Sequence, residues 1–402
     1  MGKICTLQNG APCLAYEDDI ISAPITQLQQ ENGLEMLTKM NTQRDPFILK
    51  LPPEIASHIF LLSMGERDIQ DVCKSGARLP TPFLLGAVCS RWRALARSTP
   101  ELWSKLAYTS HNITSLKNQR NTPQLIADWL VRSGSLPLTL RMSKGLEAYN
   151  GYFHPSDYDD GWKLIIDILN LHSECWCDVD FELPTNYIAA LRGTSPPKNL
   201  RKLSFSSLNV YSPTNFFLRF TMNTAPSPMK VSIYGFHLDN INVSWDNLVD
   251  LELNYITLDG VMKVLRQAPL LETCSLTDIL APADGFPTTL GTINRHPKIQ
   301  TLFVSWTDTE IFTELLDWLV LPSLEWCELY AYCGDKDRLP LGTVVSFINR
   351  SGCSLELLDL WYTGLKPSGD EQAPMSEDME RLLRTVPHLR HRFDVKGLTC
   401  YR

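Results

Sequence analysis

The sequence predicts an α/β fold in which a short helical module precedes a longer array of strand and helix units. Three proline-marked helix starts lie close together between residues 45 and 107. After residue 121, short apolar strand patterns recur and alternate with helical stretches. We therefore expect a parallel sheet along the inner side of a curved array, with the helices along the outer side.

The composition is that of a folded protein. The 402 residues are 44% hydrophobic and 20% charged, and the formal net charge is −8. An acidic chain lacks the basic field that attracts phosphates, so we expect neither nucleic acid nor a membrane as a partner. The sequence shows no apolar run long enough to span a bilayer and no signal-peptide core, which predicts a cytoplasmic and/or nuclear protein.

The first segment, residues 1–44, differs from the rest of the chain. Residues 1–24 are polar and irregular, and the next stretch favours a helix without a regular apolar period. Gly33 lies in the middle of that stretch. We expect this region to be disordered or to form a frayed helix.

The first helix start lies in the sequence LPPEIASHIF. Pro52 and Pro53 suit the first turn of a helix, where a missing N–H breaks no hydrogen bond. Ile55, Ile59 and Leu62 then recur at steps of four and three residues. This spacing predicts a helix with one apolar stripe.

Two further helix starts read TPFLL and TPELW. In both, a threonine that can cap the helix precedes a proline suited to its first turn. One apolar face continues from the first of them through Leu84, Val88, Trp92 and Leu95. Three short helices bury a low fraction of their surface, so we expect this module to dock on another surface.

The motifs LPPEI, VCSRWRALA and STPELW, in this order, resemble the F-box, a three-helix module that docks on the Skp adaptor of cullin-based ubiquitin ligases. The resemblance is closest to the F-box-like proteins of mushroom-forming fungi, in which irregular leucine-rich repeats follow the module. It places the F-box at residues 45–107, with an insert between Met64 and Thr81 that a minimal F-box lacks. By this resemblance, the residues that bind the Skp adaptor are Leu51, Pro52, Pro53, Ile55, Ile59, Val88, Trp92 and Trp103.

A helix over 121–133 and a strand with alternating Leu136, Leu138 and Leu140 follow the module. Gly134 ends the helix. The sequence of this unit, WLVRSGSLPLTL, is a second place where the fungal resemblance is close. It begins the second predicted domain, an irregular leucine-rich-repeat domain over 121–402.

The pattern apolar-x-x-apolar-x-apolar then recurs along the chain. Its instances are Trp176/Val179/Phe181, Leu200/Leu203/Phe205, Leu248/Leu251/Leu253, Leu271/Cys274/Leu276, Ile299/Leu302/Val304, Leu324/Cys327/Leu329 and Leu355/Leu358/Leu360, with a weaker Val231/Ile233 and a last one beginning at Leu389. The clear later starts, at 248, 271, 299, 324 and 355, are separated by steps of 23, 28, 25 and 31 residues. Leucine-rich repeats have periods of about 20–29 residues.

Helical stretches separate these strands. We expect helices over 161–171, 258–267, 309–319, 342–349 and 377–385, several of them followed by a proline that stops the helix before the next strand. An ordinary doubly wound α/β domain is the alternative. It would require a glycine-rich phosphate turn after an early strand, and the sequence contains none.

The sequence offers weak candidates for chemistry. The eleven cysteines include no Cys-x-x-Cys, and the nearest approach to a metal cluster, His172 with Cys175 and Cys177, has no second ligand pair. The carboxylate groups Asp157/Asp159/Asp160 and Asp178/Asp180/Glu182 are typical of solvated surface, and no catalytic motif is present. We expect no catalytic site, no metal and no cofactor.

The repeat register also predicts a binding face. Residues that flank the last two apolar positions point to the inner surface of the array, and this row changes from polar to aromatic towards the end of the chain. Grouped exposed aromatic residues are typical of binding hot spots. The predicted target-binding residues are Phe303, Trp326, Glu328, Tyr330, Asp359 and Trp361. Alternatively, a loop or the C-terminal segment covers them.

The resemblance implies a substrate-recruiting adaptor of a Skp–cullin–F-box ubiquitin ligase, active in ubiquitin-dependent protein degradation. The F-box would bind the Skp adaptor and cullin core, and the repeats would bind an unknown protein substrate. Such a chain has no catalytic activity of its own. An interaction scaffold outside any ligase, which keeps the F-box as a packing element, and a hydrolase with an unrecognised site are the alternatives.

Overall fold

The computed structural model describes a chain built on one large sheet. The described residues are 50–64, 70–71, 81–110, 116–144, 159–207, 219–236, 238–281, 294–331, 340–363, 386–395 and 398–401, together with Glu380, Leu382 and Arg384. The 13 strands of this sheet lie side by side in chain order. The predicted α/β class is therefore confirmed, and a sheet in which each strand lies beside the next one of the sequence is compatible with a solenoid.

The strands of the large sheet are parallel except for the last pair, which is antiparallel. They are β1 (Gln70–Asp71), β2 (Lys105–Thr109), β3 (Leu138–Ser143), β4 (Trp176–Leu183), β5 (Lys202–Ser207), β6 (Lys230–Tyr234), β7 (Asp250–Asn254), β8 (Thr273–Thr277), β10 (Thr301–Trp306), β12 (Trp326–Ala331), β13 (Leu357–Thr363), β14 (His388–Val395) and β15 (Leu398–Tyr401). A second, two-stranded sheet pairs β9 (Asn294–Arg295) with β11 (Leu319–Val320).

Nine α-helices lie in the part of the chain that the structure describes. They are α1 (Pro53–Ser63), α2 (Thr81–Val88), α3 (Ser90–Arg97), α4 (Leu116–Ser133), α5 (Asp159–Leu171), α6 (Thr185–Ala190), α7 (Leu258–Gln267), α8 (Thr309–Trp318) and α9 (Leu341–Ser351). Short 3-10 helices cover Pro100–Trp103, Ser173–Cys175 and Leu238–Asn240. No helix of these ranges is long and apolar enough to cross a membrane.

Most predicted helices are observed within two residues of their expected ends. The helix expected over 377–385 is described only at three helical positions, Glu380, Leu382 and Arg384. The helix expected at 121 begins at Leu116 instead and contains Pro123 in its interior. The Thr-Pro pair there is not a helix start, although the same pair begins α2 at Thr81.

The apolar face that continues from Thr81 is divided between two helices. Cys89 takes an extended conformation between α2 and α3, and its Sγ lies 3.5 Å from the Trp92 backbone nitrogen, from which it accepts a hydrogen bond. This cap starts α3 as a separate helix. The helix α6, which the apolar periodicity did not predict, begins after Pro184.

The repeated apolar pattern forms the core. In the seven clear instances the second and third apolar positions are buried on one face of the sheet, and the first position is buried at or just before the start of the strand. Cysteines at two of these positions behave as buried hydrophobes, because burial raises the pKa of Cys274 to about 12 and raises that of Cys327 as well.

The pairing corrects the start of the last repeat. Leu389 of β14 pairs with Leu358 of β13, so it holds the second apolar position. The first position, equivalent to Leu355, is Val386, which is also buried. The last repeat therefore begins at Val386, three residues earlier than the sequence predicted.

Gly134 and Gly193 both have a left-handed backbone conformation, but the space around them differs. They therefore allow the cost of conformation to be compared with the cost of packing. Gly134 and Gly193 both have φ of +62°. A Cβ at Gly134 would have nothing within 4 Å, whereas one at Gly193 would lie 2.5 Å from Met222 Cε and 3.0 Å from Ser173 Oγ. Only Gly193 is therefore required for close packing as well as for its conformation.

We expect Gly193→Ala to lower the free energy of unfolding by more than Gly134→Ala does. Both changes force alanine into the left-handed region, which costs about 1–2 kcal/mol. At Gly193 the added methyl group also displaces Met222 or Ser173. Urea unfolding of both variants measures the difference, and equal losses would contradict the packing described at Gly193.

His296 is buried immediately after β9, so its ionisation should affect how the stability of the chain changes with pH. Its Nε2 lies 2.8 Å from the Ala268 carbonyl oxygen, and its Nδ1 accepts a hydrogen bond from the Lys298 backbone N–H at 3.4 Å. These bonds fit a neutral ring with the proton on Nε2. Burial lowers the pKa of His296, and the bond to Ala268 only partly opposes this shift.

We expect the folded chain to lose stability as the pH falls below the unfolded histidine pKa of about 6.5. In that range the unfolded state binds a proton that His296 of the folded state does not, so acid favours unfolding. His296→Gln, whose amide can still donate to Ala268, should lose less stability than the wild type between about pH 7.5 and about pH 5.5. Urea unfolding at both pH values measures this. His388→Gln, at an exposed position, is the control that should keep the wild-type response.

Candidate protein-interaction surfaces

Helix α1 has apolar residues on two faces, and only one of them is in the core. Ala56 and Phe60 point inward and are each 1% exposed. Ile55, Ile59 and Leu62 point outward and are 49%, 38% and 71% exposed. The stripe that the sequence indicated is therefore on the outside of the helix, where water covers it in the isolated chain.

Aromatic rings fill the interior of the first three helices. The rings of Phe60 and Trp92 have centroids 4.9 Å apart, as do those of Trp103 and Trp129. Trp103 donates from Nε1 to the Ala96 carbonyl oxygen at 2.8 Å. Because Trp129 belongs to α4, these rings join the helices to the sheet domain.

Trp103 was predicted to bind the Skp adaptor, but it is only 2% exposed. Its ring and its N–H are both used inside the chain, so it offers no surface to a partner. The other predicted residues of this group are at least partly accessible. Pro52, Pro53, Ile55, Ile59 and Val88 are exposed, and Leu51 and Trp92 are half-buried.

Exposed apolar residues are concentrated at the start of the chain. Of the twelve large hydrophobic residues that are exposed in the described chain, five lie in α1 and α2 and form what we name the module patch: Ile55, Ile59, Leu62, Leu84 and Val88. Both helices pack on α3. Soluble chains usually scatter such residues singly, so this concentration is a candidate docking surface.

The sequence prediction of adaptor contacts omitted Leu62 and Leu84. Each lies within one helical turn of a residue that was named, Leu62 after Ile59 and Leu84 before Val88. The spacing of three or four residues was therefore a sufficient signal for both.

The second candidate surface is the outward face of β10, β12 and β13. The strand pairing arranges nine residues in a grid of three rows, which we name the sheet-face grid: Thr301, Trp326 and Leu357; Phe303, Glu328 and Asp359; Ser305, Tyr330 and Trp361. The predicted target-binding residues occupy six of the nine positions. Their expected position on one face of the sheet is therefore observed.

The grid residues differ in accessibility. Trp326 is 48% exposed, while Phe303, Glu328, Tyr330 and Trp361 are half-buried. The rings of Tyr330 and Trp361 stack with centroids 5.9 Å apart and an interplanar angle of 30°. An aromatic surface of this kind can bury large area at low cost in side-chain entropy.

Asp359 was predicted to select the target, yet it is only 3% exposed. It lies between Glu328 and Arg390 across the paired strands. A carboxylate at this depth does not meet a partner directly. Of the two predicted acidic residues, Glu328 is the one a partner can reach.

The groups considered for metal binding or catalysis are arranged differently. Cys175 lies in a 3-10 turn and Cys177 in β4. Burial raises the pKa of both thiols. Among the described residues, no group of three histidine, cysteine or acidic side chains could hold a metal ion.

The acidic residues of β4 alternate on the outward face of the strand. Asp178, Asp180 and Glu182 are half-buried there, and Glu182 accepts a hydrogen bond from Ser143 Oγ at 2.6 Å. In the other acidic group, Asp157 lies outside the described residues and Asp159 begins α5. The three carboxylates of β4 are therefore partly open to solvent and are not enclosed as a pair.

We expect substitutions on the two faces of α1 to differ in their effect on stability. Phe60→Ala should lower the free energy of unfolding by about 3–5 kcal/mol, because it leaves a cavity in the core. Ile55→Ala should cost less than about 1 kcal/mol, because half of its side chain is already in water. Thermal or urea unfolding measures both. A large loss for Ile55→Ala would show that this residue stabilises the chain itself.

Neither candidate surface can be matched to that of a known protein. Comparison of the chain with protein-family models, with curated proteins and with solved structures gives no significant match. A functional proposal for this chain therefore depends on its sequence motifs and on the exposure, packing and charge of its own residues.

Proposed function

We propose that this chain is a substrate-recruiting adaptor of a Skp–cullin–F-box ubiquitin ligase. In this proposal α1 and α2 bind the Skp adaptor, and the sheet-face grid binds the protein to be modified. The observation that carries the proposal is the module patch, which exposes large apolar side chains on two short helices of the segment that resembles an F-box.

The energetics of the module patch favour a partner that covers it. Burying apolar surface contributes about 25 cal/mol per Å², so a patch of several branched side chains can supply a large part of a binding free energy. The chain does not use these side chains for its own core, which Phe60, Trp103 and Trp129 fill. Pro52, just before α1, and Pro53, its first residue, restrict the backbone there, so docking orders little additional chain.

The sheet-face grid supplies the second surface that an adaptor requires. Its rings lie on strands that the core fixes on their other face, so the surface is formed before a target arrives. The module patch belongs to α1 and α2, whereas the grid belongs to β10, β12 and β13. A chain with two separate surfaces can hold a ligase core and a target at the same time.

A scaffold outside any ligase is the second candidate function. The module patch would then bind a different protein, and the same exposed residues support that interpretation. The identity of the protein that the patch captures separates the two functions.

We expect the wild-type chain to capture purified Skp adaptor and the variant Ile55→Asp to lose this capture. Ile55 lies in the first turn of α1, where an acidic residue is compatible with the helix dipole, so the variant should stay folded. A charge at a half-exposed site that must become buried opposes docking. Co-purification followed by a binding isotherm measures the effect.

Leu164→Asp is the matched control. Leu164 is exposed to a similar extent as Ile55 and lies on α5, outside the module. The Leu164→Asp variant should therefore still capture the adaptor. If the wild-type chain does not capture the adaptor, the scaffold is the better proposal. If the wild type and both variants capture it equally, the adaptor binds elsewhere on the chain.

A further inference from the structure

We propose that the sheet-face grid binds an arginine side chain of a protein partner. The inference rests on the proposed function in one respect: in an adaptor, this partner would be the recruited target. It adds the chemistry by which that target is recognised. The binding chemistry itself follows from Glu328 and the rings around it.

Glu328 is the central residue of the grid. Neighbouring strands lie about 4.8 Å apart and alternate residues of one strand about 6.6 Å apart. Phe303 is therefore beside Glu328 on β10, Trp326 and Tyr330 flank it on β12, and Trp361 is diagonal to it on β13. One accessible carboxylate is thus surrounded by four aromatic side chains.

Glu328 lacks the polar partners that two other acidic residues on this sheet face have. Asp250 forms an ion pair with Lys230 at 2.9 Å, and Glu252 accepts a hydrogen bond from Ser232 Oγ at 3.0 Å. Within the described part of the chain, the Glu328 carboxylate forms neither an ion pair nor a side-chain hydrogen bond. A half-buried carboxylate without these contacts gains from a cation that comes from outside.

The described strands around Glu328 present no cation beside it on this face of the sheet. The outward-facing positions of β7, β8, β10, β12 and β13 include no lysine, arginine or histidine. Arg390 of β14 is two strands away, at about 10 Å by the strand spacing, with Asp359 between them. The net charge of −8 adds a long-range attraction for a basic segment.

The aromatic rings favour arginine over lysine. A guanidinium group is planar, so it can stack on an indole or phenol ring while it donates two hydrogen bonds to a carboxylate. Trp326 presents an exposed ring two residues from Glu328, and Tyr330 stacks with Trp361 on the other side. An ammonium group is a compact charge that makes no use of these flat faces.

The test uses the full-length chain and a short acetylated and amidated glycine–serine peptide that carries arginine at alternate positions. A second peptide has citrulline, which is neutral and of nearly the same shape, in place of arginine, and a third has lysine. Calorimetry or fluorescence anisotropy gives the dissociation constants. We expect the arginine peptide to bind most tightly, and the citrulline peptide to bind most weakly.

Glu328→Gln should weaken binding of the arginine peptide about tenfold, the loss typical of one charge-assisted interaction. Trp326→Ala should weaken it as well. Glu252→Gln is the matched control, because it removes the same charge from the same sheet face at a residue that already has Ser232 as a partner. It should leave the dissociation constant within about twofold of the wild type.

Several results would overturn the inference. Equal weakening by Glu328→Gln and Glu252→Gln would indicate general attraction to an acidic chain. Equal binding of the citrulline peptide would exclude recognition of charge, and equal binding of the lysine peptide would exclude a preference for arginine. Absence of binding to the wild-type chain would contradict the inference altogether.

The same variants separate this inference from the proposed function. Ile55→Asp should bind the arginine peptide as the wild type does, and Glu328→Gln should capture the Skp adaptor as the wild type does. If adaptor capture holds while peptide binding fails, only the arginine site is wrong. If peptide binding holds while adaptor capture fails, the site stands and the ligase proposal falls.

Discussion

The constraint on which this structure depends is the burial of one face of a long parallel sheet. Each strand of this sheet from β2 to β13 contributes a pair of buried apolar residues two positions apart, and these residues stack in register on those of its neighbours. A shift of one residue in any strand would move its apolar pair into water and its polar residues into the core. The hydrophobic face therefore fixes the position of every residue on the opposite face, including those of the sheet-face grid.

The helical module depends on a different balance. Its interior is closed by Phe60, Trp92, Trp103 and, from α4, Trp129, which together anchor the first helices to the sheet domain. This interior uses only one side of α1. The other side is equally apolar, and nothing in the described chain requires it for folding.

The two candidate surfaces differ in the chemistry that they offer. The module patch consists of aliphatic side chains and suits a complementary apolar surface whose shape matters most. The sheet-face grid combines rings with a carboxylate and suits a partner that carries a positive charge. Because the surfaces use separate elements of the chain, a change at one need not disturb the other, and the adaptor role that we propose would need both surfaces to bind at the same time.

The sequence by itself determined the local elements and the alternation of faces. Spacing of apolar residues and positions of proline predicted most strands and helices, because these signals act through hydrogen bonds and steric contacts within a few residues. Only the tertiary structure decided which apolar face of α1 is buried, that Trp103 and Asp359 are enclosed, that Pro123 lies inside a helix, and that the last repeat begins at Val386. These outcomes depend on which distant residues pack against each side chain, and a pattern along the chain does not carry that information.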